Sequence, residues 1–254
     1  MISKNRIKYV RSLEMKKYRK SEGVFVAEGH KLVGDLLGVF PCVYVAAVQE
    51  WAERHADALR GVELDVVTDE ELKRVSLMET PQQVLAIFRQ PVYAADVNAV
   101  ASGGLCLALD DVQNPGNLGT IVRLADWFGI EHIFCSRGCA DIFNPKTVQA
   151  TMGGIAHVQV HYVDLPQMLA SLHAGIPVYG TFLDGENMYG KTLENRGVIV
   201  MGNEGKGVSP EVEAHVTERL YIPNYPEGRE TSESLNVAIA TAIVCAEFRR
   251  GGKS

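Results

Sequence analysis

The sequence predicts an α/β protein of two units, in which helices pack on mostly parallel sheets. From residue 23 onward, short β-like runs alternate with stretches whose apolar residues repeat at helical spacing. The 254 residues are 46% apolar and 22% charged, a composition that suits a globular protein with one large or two modest cores. A segment of small residues at 90–104, with Pro91 and the pair Gly103-Gly104, separates two such series.

The first series predicts an α/β unit. Its predicted strands are 23–29, 41–47, 62–67 and 82–90, and its predicted helices are 30–40, 49–60 and 68–78. Thr68 is a plausible N-cap for the last of these helices, because Glu71 follows it three residues later as a capping box requires.

The second series continues the alternation beyond the small-residue segment. Its predicted strands are 105–111, 131–136, 157–163, 177–183, 197–202 and 219–223, and its predicted helices are 117–128, 145–152, 164–174 and 234–250. We therefore expect a first domain at 1–92, a linker at 93–104 and a second domain at 105–254.

Composition also excludes several classes of protein. No stretch approaches the ~18 apolar residues that a membrane span requires, and the N-terminus is charged where a signal peptide is apolar. The five cysteines are scattered and odd in number, which favours buried thiols of a reduced protein. Cys135 and Cys139 lack the spacing and the second ligand pair of a zinc site. We expect a cytoplasmic protein with neither a membrane partner nor a metal.

Charge is distributed unevenly along the chain. Residues 1–20 contain eight basic residues and one acidic residue, a net +7, so that with −6 overall the other 234 residues carry −13. The basic residues are Lys4, Arg6, Lys8, Arg11, Lys16, Lys17, Arg19 and Lys20. A basic segment on an acidic body is typical of phosphate binding. A solvated basic helix without a ligand explains the same pattern.

Three segments that follow predicted strands of the second series contain residues suited to ligand binding or catalysis. In the first, a turn rich in Pro, Gly and Asn delivers Asn117 to a helix start, and Arg123 follows six residues later among apolar neighbours. An unpaired Arg is costly to bury. Arg123 is therefore expected to face a cleft or an anionic partner, unless it pairs with a neighbouring carboxylate.

The second segment is rich in glycine. Gly202, Gly205 and Gly207 follow the strand 197–202, and glycine lets a ligand approach the backbone closely. A simple strand-ending turn has the same composition. Ser209 and Pro210 begin the next predicted helix.

The third segment follows a strand that ends at Ile222 and Pro223. Ser234 is the expected N-cap of the last helix, and Asn236 lies in its first turn. Because Asn has lower helix propensity than the residues that follow, Asn236 suggests a contact outside the helix.

Together these segments resemble motifs 1, 2 and 3 of the SpoU/TrmH branch of the SPOUT RNA methyltransferases, which transfer a methyl group from S-adenosylmethionine to a ribose 2′-hydroxyl. NPGNLGTIVRLADWFG is similar to motif 1, GNEGKGVS to motif 2, and IPN with SLNVAIATAI to motif 3. The first unit resembles the ribosomal-protein-like RNA-binding domain that often precedes this domain. The resemblance implies a trefoil-knotted, mostly parallel sheet, a homodimer, and an RNA substrate that is ribosomal rather than transfer RNA.

The resemblance also implies roles for individual residues. Arg123 corresponds to the main catalytic residue of the family. The implied catalytic residues are Asn117, Arg123, Glu204, Ser234 and Asn236. The implied S-adenosylmethionine-binding residues are Thr181, Phe182, Gly202, Asn203, Ile222 and Leu235. The expected RNA-binding residues are Lys4, Arg6, Lys8 and Arg11.

One loop of the sequence departs from the family pattern. The loop between Pro223 and Ser234 is longer than the family's and contains Glu227, Arg229 and Glu230. The alternatives are methylation of transfer RNA, methylation of a base, and RNA binding without catalysis. A dinucleotide-dependent oxidoreductase is disfavoured, because no GxGxxG follows an early strand.

Overall fold

The computed structural model describes residues 2–226, 229 and 234–250. Its contacts divide the chain into a first unit, Met1–Val92 with Asp141–Ala156, and a second unit, Tyr93–Ala140 with His157–Ser254. In chain order the elements are α1 (Lys4–Ser12), α2 (Lys16–Glu22), β1 (Val24–Glu28), α3 (His30–Leu36), β2 (Cys42–Ala47), α4 (Gln49–Arg54), β3 (Glu63–Val66), α5 (Asp69–Val75), β4 (Val84–Arg89), α6 (Val97–Gly103), β5 (Leu105–Leu109), α7 (Pro115–Trp127), β6 (His132–Ser136), α8 (Pro145–Ala150), β7 (Gln159–Val163), α9 (Leu165–Ala170), β8 (Val178–Asn187), β9 (Gly197–Met201), α10 (Pro210–Glu213), β10 (Glu218–Tyr221) and α11 (Val237–Arg250).

The sheet of the first unit has the strand order β1-β4-β2-β3. The expectation of mostly parallel pairing is wrong here, because β4 runs antiparallel to both β1 and β2 and only β2 and β3 are parallel. The segment between α5 and β4 accounts for the direction of β4. There Ser76 Oγ and Leu77 N donate to the buried Glu28 carboxylate, so the chain returns to the carboxyl end of β1 before β4 begins.

The basic N-terminal segment forms two helices, α1 and α2, on the first unit. Arg19 is buried there: it donates to Leu13 O and pairs with Asp141 Oδ2 at 2.6 Å. The predicted α5 capping box is confirmed, since Thr68 Oγ1 accepts from Glu71 N and Glu71 accepts from Thr68 N. The predicted helix 145–152 is α8, and its segment belongs to the first unit by contacts.

The segment predicted as a linker, 93–104, contains the helix α6. Asp96 caps it by accepting from Asn98 N at 2.9 Å, and Val97 and Ala101 are buried in the core of the second unit. Small residues mark close packing here, where the sequence suggested a flexible connection. The boundaries at 92 and 105 stay a prediction.

The second unit contains a six-stranded sheet of order β10-β8-β9-β5-β6-β7. All five pairings are parallel, which confirms the predicted sheet of this region. The two central strands β5 and β9 are buried along their whole length, as expected when helices cover both faces. The trefoil knot stays an implication of the resemblance.

Helix ends differ from the sequence predictions by several residues. The predicted helix 49–60 ends at Arg54, 164–174 ends at Ala170, and 234–250 begins at Val237. Within the described residues, no helix is both long and apolar enough to cross a membrane.

Candidate functional site

The candidate site lies at the carboxyl edge of the second unit's sheet. The turns that follow β5 and β9 leave adjacent strands, and β10 is separated from β9 by β8. Open parallel sheets bind ligands at this edge, because loops from neighbouring strands converge there.

The turn between β5 and α7 is fixed by hydrogen bonds at its start, through Asp111, and at its end, through Asn114. Asp111 has a φ of 59° and its N–H donates to Ser136 Oγ at 2.9 Å. A Cβ at Gly138 would lie closer than 3.0 Å to the Asp111 carboxylate, so a larger residue here would force that carboxylate to turn aside. Asn114 caps α7 by accepting from Gly116 N and Asn117 N, so the helix begins two residues earlier than predicted.

The glycine-rich turn after β9 packs against that first turn. Asn203 Nδ2 donates to Asp111 O at 2.8 Å, and Asn203 Oδ1 accepts from Gly205 N and Lys206 N. The Asn203 backbone pairs with Gly207 in both directions at 2.9 Å. A Cβ at Gly202 would lie closer than 3.0 Å to the Gly207 backbone, so the turn can close only over glycine.

Four of the predicted catalytic residues form one hydrogen-bonded network. Asn117 Nδ2 donates to Glu204 Oε1 at 2.5 Å, and Asn236 Nδ2 donates to Asn117 Oδ1 at 3.1 Å. Ser234 Oγ lies 3.5 Å from Glu204 O, the carbonyl to which it donates. These contacts link residues that are up to 119 positions apart in the chain.

The start of α11 corrects one prediction. Asn236, not Ser234, caps the helix, because its Oδ1 accepts from Ala238 N at 3.0 Å and from Ile239 N at 3.3 Å. The Asn236 side chain thus caps its own helix with its oxygen and reaches Asn117 with its nitrogen. The contact outside the helix that the sequence suggested is this one.

Arg123 stands apart from the network. Its side chain is exposed on α7 and makes no hydrogen bond or ion pair with any described residue. It follows Asn117 by about 9 Å along the helix axis and about 240° around it, so the two side chains leave α7 in different directions. The alternative that Arg123 pairs with a neighbouring carboxylate is not observed among the described residues.

Most of the predicted cofactor residues belong to three neighbouring strands or the turns after them: Thr181 and Phe182 lie within β8, Gly202 and Asn203 follow β9, and Ile222 follows β10. The Phe182 ring lies against Gly180, where a Cβ would be 2.5 Å from Phe182 Cε2. The Arg219 guanidinium lies over that ring, 3.8 Å from its centre. Thr181 Oγ1 approaches Met201 Sδ at 4.0 Å.

Arg219 was not predicted as a site residue. It pairs with Asp184 and Glu213 at 2.5 Å each, and its hydrogen bond lowers the pKa of the Asp184 carboxyl. The sequence offered no signal for this cluster, because Asp184 lies 35 positions from Arg219. The remaining cofactor positions are Ile222, which is half-buried just after β10, and Leu235, which is 47% exposed.

The cysteines serve as buried thiols, as predicted, except that Cys42 is only half-buried. Cys139 Sγ accepts from Val112 N at 3.3 Å and so supports the turn after β5. A hydrogen bond from Cys135 lowers the pKa of Cys139, whereas burial raises the pKa of Cys106 to about 12.

Two of the four predicted RNA-binding residues have structural partners. Arg6 pairs with Glu63 and lies over the Tyr44 ring at 4.3 Å, and Arg11 Nε donates to Arg74 O at 3.0 Å. Lys4 and Lys8 are exposed. Glu227 and Glu230 of the longer loop lie outside the described residues.

Comparison with known proteins matches both units. A model described as the SpoU rRNA Methylase family matches residues 104–246, and a model of the MRM3-like substrate binding domain matches residues 4–86. The 23S rRNA (guanosine(2553)-2′-O)-methyltransferase RlmP of Bacillus subtilis is 32% identical over 246 residues, which cover 96% of each chain.

Two solved structures are similar over nearly the whole length. One, described as belonging to the TrmH family of RNA methyltransferases of Porphyromonas gingivalis, has a TM-score of 0.85 and 43% identity and covers 99% of this chain and 100% of its own. The other, an AdoMet-bound rRNA methyltransferase of Sinorhizobium meliloti, has a TM-score of 0.86 and 30% identity and covers 100% of this chain and 97% of its own.

Proposed function

Because the chain belongs to the SpoU rRNA methylase family, we propose that it methylates a ribose 2′-hydroxyl of ribosomal RNA with S-adenosylmethionine. The observation that carries this proposal is the hydrogen-bonded network of Asn117, Glu204 and Asn236, which joins the three motif segments at one edge of a parallel sheet. The relative matched over nearly its full length acts on 23S rRNA, which favours ribosomal over transfer RNA.

The residues at the sheet edge suit S-adenosylmethionine. A Cβ at Gly180 would meet Phe182 and Val216, and one at Gly202 would meet the Gly207 backbone, so both glycines keep the polypeptide closely packed here and present only backbone groups of their own. Uncharged backbone groups suit an adenosine. We infer that Thr181, Phe182, Gly202, Asn203, Ile222 and Leu235 hold the cofactor.

Arg123 would act on the ribose. When bound, S-adenosylmethionine supplies an electrophilic methyl group on a sulfonium. A free guanidinium is a poor base, so its contribution is to orient the 2′-hydroxyl and to stabilise the negative charge that develops on its oxygen while the hydroxyl proton passes to water. A preorganised cation contributes most where water is excluded.

The network would hold the turns that contact both reactants. Asn117 and Asn236 each use both ends of their amide groups, which fixes their orientation. Glu204 ties the glycine-rich turn to α7 through Asn117, and Ser234 adds a contact to the Glu204 carbonyl. In this proposal Glu204 positions the loop and does not transfer a proton.

We propose further that the active form is a homodimer. Arg123 has no partner among the described residues, and Trp127, one turn along α7, is 83% exposed. Ile239 on α11, a helix that packs against α7, is 54% exposed. Trp and Arg are enriched at the energetic centres of protein interfaces, which favours this face of α7 over other exposed apolar residues. A second copy would cover this face and would bring its Arg123 to the network.

The basic segment of the first unit would bind RNA, through Lys4, Arg6, Lys8 and Arg11. A cytoplasmic location and independence of metals are parts of the same proposal, since the free thiols suit a reducing compartment.

Product analysis tests the proposed function. Purified protein is incubated with isotopically labelled S-adenosylmethionine and, in separate reactions, with unmodified ribosomal RNA or unmodified transfer RNA. Each RNA is digested to nucleosides for mass spectrometry, and binding of S-adenosylmethionine and of RNA is measured by calorimetry. We expect the label in a 2′-O-methyl nucleoside. Label on a base, label in transfer RNA only, or RNA binding without S-adenosylmethionine binding would each refute the proposal in favour of one of the alternatives.

A further inference from the structure

An open hollow of about 370 Å³ lies between α1 and α5 of the first unit. Four residues line it: Lys4, Ile7, Arg11 and Arg74. We call it the α1–α5 hollow. Three of the four side chains are cationic and none is acidic, although the chain carries a net charge of −6. We propose that the α1–α5 hollow binds the phosphate backbone of the substrate RNA, with Arg74 as an RNA-binding residue that the basic N-terminal segment does not include.

The arrangement of the cations supports a ligand. Lys4, Ile7 and Arg11 are spaced three and four residues apart, so they lie on one face of α1. Arg11 Nε donates to Arg74 O, which leaves the terminal nitrogens of Arg11 for another acceptor. The side chains of Lys4 and Arg74 make no hydrogen bond or ion pair with any described residue.

The electrostatics of α1 point to an anion. The first turn of α1 contains Lys4 and no acidic residue, although the partial positive charge of a helix N-terminus disfavours a cation there. Ser3 Oγ caps this terminus by accepting from Arg6 N, and the Glu71 carboxylate accepts from Ile2 N just before it, so a bound phosphate would chiefly compensate the charge of Lys4. Arg74, in the last turn of α5, is favoured by the dipole of its own helix, so its presence alone is explained without a ligand.

The length of the hollow favours a polymer over a single phosphate. Lys4 and Arg11 are separated by about 10 Å along α1, and a stacked strand rises about 3.4 Å per phosphate. The three cations therefore match more than one phosphate of a strand. This inference rests on the proposed function, because it assumes that the substrate is RNA.

A pair of matched variants tests the inference. Arg74→Gln removes a cation of the hollow, and Lys73→Gln removes an exposed neighbour in the same helical turn that does not line it. Binding of a fluorescein-labelled single-stranded RNA to the full-length protein is measured by anisotropy at several salt concentrations. We expect Arg74→Gln to reduce the slope of log K against log salt by about 0.7, as one lost phosphate contact requires, and Lys73→Gln to leave it unchanged.

Kinetics and a phosphate control complete the test. In methylation of ribosomal RNA, Arg74→Gln should raise the KM for RNA and leave both kcat and S-adenosylmethionine affinity unchanged. The inference would be overturned if the slope of log K against log salt were the same in the wild type and Arg74→Gln, or if Arg74→Gln and Lys73→Gln lost RNA affinity equally. Methylation of ribosomal RNA by the wild type would still uphold the proposed function in either case. Stabilisation by inorganic phosphate that depends on Arg74, with unchanged RNA binding, would overturn it in favour of a free-anion site.

Discussion

Gly202 gives the sharpest test of how the glycine-rich turn works. Gly202→Ala would place a Cβ closer than 3.0 Å to the backbone of Gly207 and Val208, and backbone atoms cannot turn aside as a side chain can. Overpacking of this kind costs about 1–3 kcal/mol. If the turn shifts to relieve the clash, the cofactor edge shifts with it, and the loss in S-adenosylmethionine affinity is about 5- to 150-fold.

Gly205→Ala is the matched control in the same turn. A Cβ there would meet only Asn203 Oδ1 at 3.7 Å, an ordinary van der Waals distance. Isothermal titration calorimetry with S-adenosylmethionine measures both affinities, and circular dichroism checks that both variants fold. We expect a loss for Gly202→Ala alone. Unchanged affinity in Gly202→Ala, or an equal loss in Gly205→Ala, would refute the role assigned to this close approach.

Three further predictions concern other parts of the structure. Burial and the nearby His132 lower the pKa of His161 in the folded protein, so the unfolded chain binds a proton first as the pH falls below about 6.5. The melting temperature should therefore fall as the pH drops from about 6.5 to the lower pKa of the folded protein. The fall should be smaller in His161→Phe, which has no imidazole to protonate. Arg219→Lys should weaken S-adenosylmethionine binding by about 2- to 5-fold in calorimetry, because it keeps the charge but loses the planar contact with the Phe182 ring. Arg196→Lys, at an arginine that pairs with Glu194, should leave the affinity unchanged. Unchanged affinity in Arg219→Lys would contradict the idea that Arg219 positions Phe182 for the cofactor. Trp127→Ala should weaken dimerisation by about 30-fold or more in light scattering and should reduce methylation. Val92→Ala, at a residue that is 97% exposed, should change neither. A wild-type protein that is monomeric in solution would contradict the proposed homodimer.

Much of the architecture of the second unit could be predicted from the sequence. Short apolar runs that alternate along the chain with helical patterns located its six strands, because buried parallel strands consist of nearly continuous apolar residues. The resemblance to the family motifs pointed to Asn117, Glu204 and Asn236, which the structure joins by hydrogen bonds. A polar residue in the first turn of a helix was the useful signal at Asn236.

Other features depend on contacts that no local pattern reports. The direction of β4 depends on how Ser76 and Leu77 meet Glu28, 48 and 49 positions away. Arg19 looked like part of a solvated basic segment, yet it pairs with Asp141, 122 positions along the chain. The helix α6 was not predicted, because a helix of small residues and a linker share a composition.

Mapping of 2′-O-methylated positions in ribosomal RNA from cells with and without this protein tests the central claim most directly. We predict that one ribose loses its methyl group when the protein is absent, and that wild-type protein restores it but Arg123→Ala does not, although that variant still binds S-adenosylmethionine. An unchanged map of ribosomal RNA, or full restoration by Arg123→Ala, would contradict the account.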